Sequence, residues 1–296
     1  MTTRPILVGY DGSPQSQTAL TWALDEAART HAPVLLAYAF EWFAVAAPIA
    51  PEVANWPDAT ARRDAEAMVH VAAAEAAEAH PDVTITGVLV DGPAAVTLTE
   101  KSRQASLVVL GNRGHGGFAD LLVGSTSVAV SAHAHCPVVV VRGEPTERRG
   151  HIVVGVDGSP CSLLALGYAI EQATERDVHL HVIRTWTPPP PQYTPLTYDP
   201  AKISAAERDA LDDLLRNWRD KYPQVQVTAE VVADSPSRVL VNASRNAQLV
   251  VVGSRGRGGF RGLLLGSVSQ QLLHHSHCPV AVVREMPTAT AASDDA

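Results

Sequence analysis

The chain contains 296 residues, enough for two domains of ordinary size, and its hydrophobic fraction of 46% is typical of a globular protein. The formal net charge of -8 argues against a general nucleic-acid binder and against a basic membrane-surface protein. No apolar run approaches the roughly 20 residues of a membrane-spanning helix, and the strand-like segment that begins at Ile6 leaves no space for a signal peptide. Three cysteines cannot complete a disulfide framework, so we expect a cytoplasmic protein.

Predicted strands and helices alternate along the first half of the chain. A short apolar run at Ile6–Val8 is typical of a strand that is buried on both faces. Ser13 and Pro14 follow as a helix N-cap and a first helical residue, and this helix extends to about Arg29. The next strands are predicted at 34–40, 83–90, 107–110 and 137–141, and the next helices at 58–80, at 93–106 and from Ser125, which we expect to act as the cap.

The second half of the chain repeats the first. Three segments return in the same order: Ile6–Pro14 as Ile152–Pro160, Leu107–Phe118 as Leu249–Phe260, and His135–Arg142 as His277–Arg284. The repeat predicts two copies of one domain, at 1–146 and 147–287, joined through the polar stretch 143–149 and followed by a disordered tail at 288–296. Alternating strands and helices predict a parallel sheet with helices on both faces and ligands at the carboxyl ends of its strands.

A glycine-rich segment connects a predicted strand to a predicted helix in each copy. Its sequence is Gly-x2-Gly-x9-Gly-Ser in both. Glycines let backbone N–H groups approach an anion, and the helix start adds further N–H groups and a positive dipole end. Although such segments also form simple turns, two identical spacings favour a di- or triphosphate site. The predicted residues are Gly111, Arg113, Gly114, Gly124, Ser125 and Thr126, and in the second copy Gly253, Arg255, Gly256, Arg257, Gly266, Ser267 and Val268.

An aspartate follows the first strand of each copy, Asp11 after Gly9 and Asp157 after Gly155. A carboxylate at the carboxyl end of a sheet strand suits ribose hydroxyls or a phosphate-bound Mg²⁺. The alternative is that these residues form an Asx-type turn or a helix cap. We therefore expect both aspartates, with Gly9 and Gly155, at the predicted ligand site, and any metal there to be held together with the phosphate groups of the ligand.

These motifs, together with His-Cys-Pro-Val-x-Val-Val at the last strand of each copy, resemble the ATP-binding branch of the universal stress protein family. The resemblance implies a flavodoxin-like (Rossmann-like) five-stranded parallel sheet of order 3-2-1-4-5. It implies ATP, with Mg, at the strand carboxyl ends, the nucleoside near Asp11 and Asp157, and adenine against the backbone of Ala39 and Thr185. Family domains pair about a two-fold axis, often through their fifth strands, so a tandem chain is expected to pair internally and then to form a homodimer.

The motifs of fast nucleotide enzymes are not found in the sequence. Neither glycine-rich segment has the lysine of a P-loop, and Gly-x-Ser-x-Gly does not occur. Phosphoryl transfer needs positioned metals and cations. The sequence therefore favours nucleotide binding without efficient turnover, and the resemblance implies a nucleotide-dependent regulator of stress response or growth arrest. The alternatives are a slow ATPase, autokinase or nucleotide hydrolase of the same fold, and a scaffold that no longer binds nucleotide.

The two glycine-rich segments differ in charge. The first carries Arg113, His115 and Asp120, whose formal charges cancel when the histidine is neutral, and the second carries Arg255, Arg257 and Arg261. We expect the second domain to bind ATP more tightly for this reason.

Cysteine and histidine residues give weaker signals. The His-Cys segments near 133–136 and 274–278 are more typical of a helix end and a buried cysteine than of a metal site. Cys161, where the first copy has Gln15, follows a helix N-cap, and a redox role is a less favoured alternative to packing.

Overall fold

The computed structural model describes residues 3–41, 59–114, 122–142, 150–190, 192, 198–258 and 264–285. These residues form ten strands and eight α-helices. In the first half they are β1 Ile6–Gly9, α1 Pro14–Thr30, β2 Val34–Phe40, α2 Ala59–Ala79, β3 Ile85–Asp91, α3 Ala94–Lys101, β4 Leu107–Gly111, α4 Ser125–His133 and β5 Val138–Val141. In the second half they are β6 His151–Gly155, α5 Pro160–Arg176, β7 Leu180–Trp186, α6 Pro200–Lys221, β8 Val227–Ala233, α7 Pro236–Ala243, β9 Ala247–Gly253, α8 Ser267–His275 and β10 Val280–Val283.

All ten described strands belong to one sheet of order β3-β2-β1-β4-β5-β10-β9-β6-β7-β8. Each half is parallel and has the order 3-2-1-4-5, which confirms the predicted fold class. The halves meet where β5 and β10 pair antiparallel, with Val139 opposite Ala281. The expected internal pairing through the fifth strands is therefore present, and a pseudo-two-fold axis relates the two halves.

Helices cover both faces of the sheet. Residues of α1, α2, α5 and α6 form one buried cluster with the strand side chains of that face, which include Ile6 and Val8. Residues of α3, α4, α7 and α8 form a second cluster on the other face, where Leu7 points. Because both faces of every inner strand are buried, these strands are continuous apolar runs in the sequence rather than alternating ones.

Helix boundaries agree with the sequence pattern except at two points. Ser13 caps α1 by accepting a hydrogen bond from the Ser16 N–H at 3.2 Å, and Pro14 is the first helical residue. The helix predicted at 93–106 is shorter, since α3 ends at Lys101 and a 3₁₀ turn, Ser102–Gln104, follows it. The prediction that Ser125 caps α4 was wrong. The cap is Gly124, whose carbonyl accepts the first intrahelical bond from the Val128 N–H, and Ser125 is the first helical residue.

None of the helices within the described residues combines the length and the apolar character that a membrane crossing requires. The predicted joint at 143–149, the predicted tail at 288–296, and His115, Asp120 and Arg261 lie outside the described residues.

Candidate functional site

A cavity of about 690 Å³ opens at the carboxyl ends of β1, β2 and β4. This volume lies within the usual range of about 300–1,000 Å³ for ligand pockets. The cavity is at the point where the chain order reverses, because β1 lies between β2 and β4. It is lined by every residue predicted for the first site, namely Gly9, Asp11, Ala39, Gly111, Arg113, Gly114, Gly124, Ser125 and Thr126.

The Asp11 carboxylate is held by the turn that opens α1. Its Oδ1 accepts hydrogen bonds from the Ser13 N–H at 3.1 Å and from the Ser13 hydroxyl at 2.5 Å. Gly12 has a φ of +79°, a conformation that favours glycine. The second oxygen, Oδ2, faces Gly114, where a side chain would collide with it. Asp11 therefore forms the turn and also lines the cavity, so the two alternatives considered for this residue are compatible.

The Asp157 carboxylate has the equivalent arrangement in the second half. Oδ1 accepts the Ser159 N–H at 2.9 Å, and Oδ2 accepts the Arg257 N–H at 2.7 Å. Burial alone would raise the pKa of Asp157, but the hydrogen bonds from Ser159, Arg257 and Ser162 together lower it below the ordinary value. Asp157 is therefore a charged carboxylate at neutral pH, tied directly to the glycine-rich segment.

Two serines that were not predicted, Ser16 and Ser162, order the same turns. The Ser162 Oγ accepts the N–H groups of Asp157 at 3.3 Å and Gly158 at 3.1 Å, and the Ser16 Oγ accepts the Asp11 N–H at 3.4 Å. Both serines occupy the last position of Asp-Gly-Ser-Pro-x-Ser, a pattern that is present in each copy and would have identified them.

Gly111 and Gly253 lie where each glycine-rich segment leaves its strand. A Cβ on Gly111 would be 2.8 Å from the backbone carbonyl of Gln15, and one on Gly253 would be 2.8 Å from the carbonyl carbon of Cys161. These two glycines therefore allow the first turn of α1 or α5 to approach the end of the sheet. Their first role is packing, and it places the aspartate turn beside the glycine-rich segment.

The far end of each glycine-rich segment is also fixed. The Gly124 N–H donates to the Asn112 carbonyl at 2.7 Å, and the Gly266 N–H donates to the Ser254 carbonyl at 2.7 Å. The two described ends of each segment, one next to the strand and one at the helix start, are thus hydrogen-bonded to each other. Gly124 and Gly266 cap α4 and α8 without a side-chain hydrogen bond.

The first residues of α4 and α8 present backbone N–H groups at these loops. Ser125 and Thr126 begin α4, and Ser267 and Val268 begin α8. Backbone N–H groups of a first helical turn have no acceptor within the helix, and the helix dipole makes this end positive. The arrangement is suited to binding an anion such as a phosphate group.

Comparison with known proteins agrees with this architecture. The model of the universal stress protein family matches the chain twice, at residues 2–142 and 148–284. Universal stress protein Rv2623 of Mycobacterium tuberculosis is 37% identical over 292 residues, with 96% of this chain and 97% of that protein covered. Universal stress protein Rv1996 of the same species is 38% identical over 300 residues, with 94% of each covered.

The chain belongs to the universal stress protein family. A crystal structure of a universal stress protein from Archaeoglobus fulgidus has the same overall fold, with a TM-score of 0.70 and 18% identity, over 96% of this chain and 97% of that one. The likeness therefore extends over both domains of this universal stress protein.

The two sites of this universal stress protein differ at the ends of the second strands. Tyr38 lines the first cavity, and Arg184 occupies the equivalent position in β7. Arg184 is 5% exposed and its Nε donates to the Glu207 carboxylate. A Cβ on Gly158 would lie 3.6 Å from Arg184 Nη1 and 2.5 Å from Arg257 Nη2. Two guanidinium groups thus flank the second aspartate turn, whereas the first domain has Tyr38 at the position of Arg184.

The remaining predicted residues lie at the expected strand ends. Ala39 pairs with Val90 near the end of β2, and Thr185 pairs with Val232 near the end of β7. Gly155 ends β6, as Gly9 ends β1. Arg255 precedes the Gly256 that faces Asp157. These second-domain residues therefore lie at positions equivalent to those of the first domain.

The cysteines of this universal stress protein are packing groups in the described structure. Cys161 is 5% exposed, with its Sγ 3.8 Å from the Ser254 hydroxyl, and this burial disfavours a redox role. Burial raises the pKa of Cys136 and of Cys278 to about 12, so both stay thiols. A thiol held in this form is a poor metal ligand, since metals bind the thiolate.

Proposed function

We propose that this universal stress protein binds ATP, together with Mg²⁺, at both sites and acts as a nucleotide-dependent regulator of stress response or growth arrest. The observation that carries the proposal is the first-domain cavity. It brings an aspartate, the described glycines of the glycine-rich segment and an exposed helix start together at the reversal point of the sheet. The family supplies the physiological role, and the site supplies the ligand chemistry.

The proposed orientation of ATP follows from the chemistry of the two ends of the cavity. Tyr38, Ala39 and Phe40 form one wall at the end of β2, which suits a base and its ring faces. Asp11 lies between this wall and the loop, where its carboxylate suits ribose hydroxyls. The loop and the start of α4 are the phosphate end, because backbone N–H groups and the helix dipole favour negative charge there.

Mg²⁺ fits the donor set as a partner of the nucleotide. Mg²⁺ is bound in proteins by carboxylate oxygens together with phosphate oxygens and water, and it neutralises part of the phosphate charge. Asp11 and Asp157 are the carboxylates that would face it. The lowered pKa of Asp157 keeps that oxygen donor ionised at neutral pH. The described residues contain no cluster of histidine, cysteine and acidic side chains that would hold a metal by itself.

Regulation requires ATP to favour one arrangement of the molecule. A ligand shifts an equilibrium only by its difference in affinity for the two states. In this chain the sites are connected through α1 and α5, because each helix begins at an aspartate turn and its last turns contact the other domain. ATP binding would therefore be communicated as a change in the pairing of the domains or in a surface that depends on it.

The nucleotide content of the purified protein is the first test. Protein prepared without added ligand is denatured, the supernatant is separated by anion exchange, and the stripped protein is titrated with Mg-ATP by calorimetry. Co-purified ATP or a saturable titration is expected, and both should be lost in the double variant Gly114→Glu/Gly256→Glu. ADP as the sole bound nucleotide would favour the slow-enzyme alternative, and turnover that disappears in Asp157→Ala would establish it. Absence of both co-purified nucleotide and titration would overturn the proposal.

A further inference from the structure

The last turns of α1 and α5 meet across the boundary between the two domains. Residues of the two helices correspond at an offset of 146, so Glu26 corresponds to Gln172 and Thr30 to Arg176. The structure places the corresponding residues Glu26 and Gln172 in direct contact, with Gln172 Nε2 donating to Glu26 Oε1 at 2.6 Å. A residue that contacts its own counterpart lies at the pseudo-two-fold axis.

A buried polar network surrounds this contact. Arg176 Nη2 donates to Glu26 Oε2 at 2.6 Å, and Arg29 Nη2 donates to the same oxygen at 2.9 Å. The Arg176 guanidinium also donates to Gln172 Oε1, at 3.1 Å from Nε. Glu26 is 2% exposed and Gln172 is 4% exposed. We call Glu26, Arg29, Gln172 and Arg176 the axial cluster.

The axial cluster is not symmetric, although the fold around it is. The acceptor is in the first domain, and both donors from across the boundary are in the second. The Arg176 guanidinium also lies 5.2 Å from the ring centroid of Trp22. Trp22 corresponds to Tyr168, and Arg176 corresponds to Thr30. This cation–π contact between the domains therefore has no equivalent on the other side of the axis.

We propose that the axial cluster is a partner-selection element, which makes a first domain pair with a second domain rather than with another first domain. In a pair of two first domains, Glu26 would face Glu26, and Thr30 would stand where Arg176 donates. The buried carboxylate would lose both donors from across the boundary and meet a like charge. Leaving a buried charge with fewer partners is strongly unfavourable, and like charges across an interface exclude wrong partners.

A pair of two second domains is disfavoured because its donors would lose the interactions that they make with the first domain. Arg176 would lose the Glu26 carboxylate and would face Tyr168 in place of Trp22. Gln172 would face Gln172, so its Nε2 would exchange the Glu26 carboxylate for a neutral amide oxygen and would keep Glu175 Oε2, at 3.1 Å on its own helix. The guanidinium of Arg176 is 9% exposed, so water does not replace the lost partner well.

The strands at the boundary do not supply this selectivity. β5 has the sequence Val138-Val-Val-Val141 and β10 the sequence Val280-Ala-Val-Val283, and their antiparallel pairing uses backbone groups. Two copies of either strand can make the same ladder, because the side chains are small and apolar in both. Pairing through the fifth strands therefore allows both like and unlike domains to pair, and the axial cluster determines which pair forms.

The test follows partner choice in the full chain after folding. A protease site is placed in the segment 143–149, the folded protein is cleaved, the halves are equilibrated in moderate urea, and the dimers are counted by native mass spectrometry. Four proteins are compared: the unaltered chain, Gln172→Glu, the exchange variant Glu26→Gln/Gln172→Glu, and Gln224→Glu. The last makes the same chemical change at an exposed position of the second domain.

The unaltered chain is expected to give unlike dimers in roughly tenfold excess or more over like dimers. Gln172→Glu places two carboxylates at the axis in every pairing, so its mixture should move toward the statistical one, in which half of the dimers are unlike. The exchange variant should recover the preference, because the amide introduced at position 26 can then donate to the carboxylate introduced at position 172, and Gln224→Glu should keep it. A statistical mixture from the unaltered chain would overturn the proposal, and so would a Gln172→Glu mixture that matches that of the unaltered chain.

If the cleaved halves do not exchange partners, thermal unfolding of the uncleaved variants tests the proposal instead. The proposal requires Gln172→Glu to unfold at a lower temperature than both the exchange variant and Gln224→Glu. Equal unfolding temperatures for Gln172→Glu and Gln224→Glu would contradict it, as would an exchange variant no more stable than Gln172→Glu alone.

Discussion

Gly256 lies directly against the carboxylate of Asp157, since a Cβ at its position would be 2.5 Å from Oδ2. The neighbouring Arg257 N–H donates to the same oxygen at 2.7 Å. Gly114 has the corresponding relationship to Asp11 in the first domain. The second glycine of each loop is therefore required because no side chain fits between the loop and the aspartate. This is a specific steric requirement and not a general need for flexibility.

Gly256→Ala is accordingly expected to damage the second site. The added methyl group must displace the loop from Asp157, at a cost of about 1–3 kcal/mol. ATP affinity at that site should fall by roughly tenfold or more. Calorimetric titration of Gly256→Ala in a Gly114→Glu background isolates the second site. Gly258→Ala is the matched control, since a Cβ there has no neighbour within 4 Å. Equal affinities for the two alanine variants would show that the loop does not need this close approach.

The two sites are expected to bind ATP with different affinities. The second aspartate turn is flanked by the guanidinium groups of Arg184 and Arg257, whereas Tyr38 takes the place of Arg184 in the first domain. Arg184 is buried beside Glu207 and Arg257 is exposed, and if each charge contributes about 0.2–1 kcal/mol, the two together change affinity by roughly 2–30-fold. Gly114→Glu, which leaves the second site intact, should therefore bind ATP more tightly than Gly256→Glu. Equal residual affinities in calorimetry would refute this difference.

Gly253→Ala should weaken the fold even in the absence of nucleotide. Its methyl group would overlap the Cys161 backbone at 2.8 Å, and a backbone segment at a helix start cannot move as a side-chain end can. The expected loss of unfolding free energy is about 1–3 kcal/mol. Thermal unfolding of nucleotide-free protein measures it, and Gly258→Ala serves again as the control. A Gly253→Ala variant that unfolds like the control and differs only in ATP binding would assign Gly253 to ligand contact alone.

The fold, and the residues that line the first cavity, were predictable because the same motifs occur in both halves of the sequence. Continuous apolar runs such as Ile6–Val8, separated by helical patterns, indicate strands that helices cover on both faces. The repeated glycine spacing and the aspartate after the first strand selected residues that the structure places around one cavity. Agreement between two copies removes chance matches, because a coincidental spacing would not recur with the same flanking strand and helix.

The features that the sequence did not reveal depend on contacts between distant residues. Glu26 is of a residue type that is usually exposed, and it is buried because α5 of the other domain covers it. Arg184 interrupts an apolar strand, and its burial is tolerated because Glu207 of α6 pairs with it. The cap of α4 was assigned to Ser125 because serine is a common cap residue. The extended backbone at Gly124 decides otherwise.

Asp157→Asn is expected to weaken both the site and the fold in a pH-dependent manner. The folded state lowers the pKa of Asp157, so the ionised carboxylate contributes stability above the ordinary value of 3.8, and this contribution is lost as the pH falls through the folded value. Asparagine offers one acceptor where the N–H groups of Ser159 and Arg257 need two. Loss of one hydrogen bond in this half-buried turn costs about 0.5–1.5 kcal/mol at neutral pH.

Unfolding temperatures of the unaltered protein, Asp157→Asn and Asp209→Asn, an exposed control on α6, test this from neutral pH downward. The deficit of Asp157→Asn relative to Asp209→Asn should be largest near neutral pH and should shrink as the pH falls below 3.8, because the unfolded chain takes up a proton at Asp157 before the folded protein does. A deficit that stays constant over the whole range would mean that Asp157 stabilises the turn through its shape rather than its charge. In that case the carboxylate would not be held ionised for a nucleotide and its Mg²⁺ by the hydrogen bonds described above.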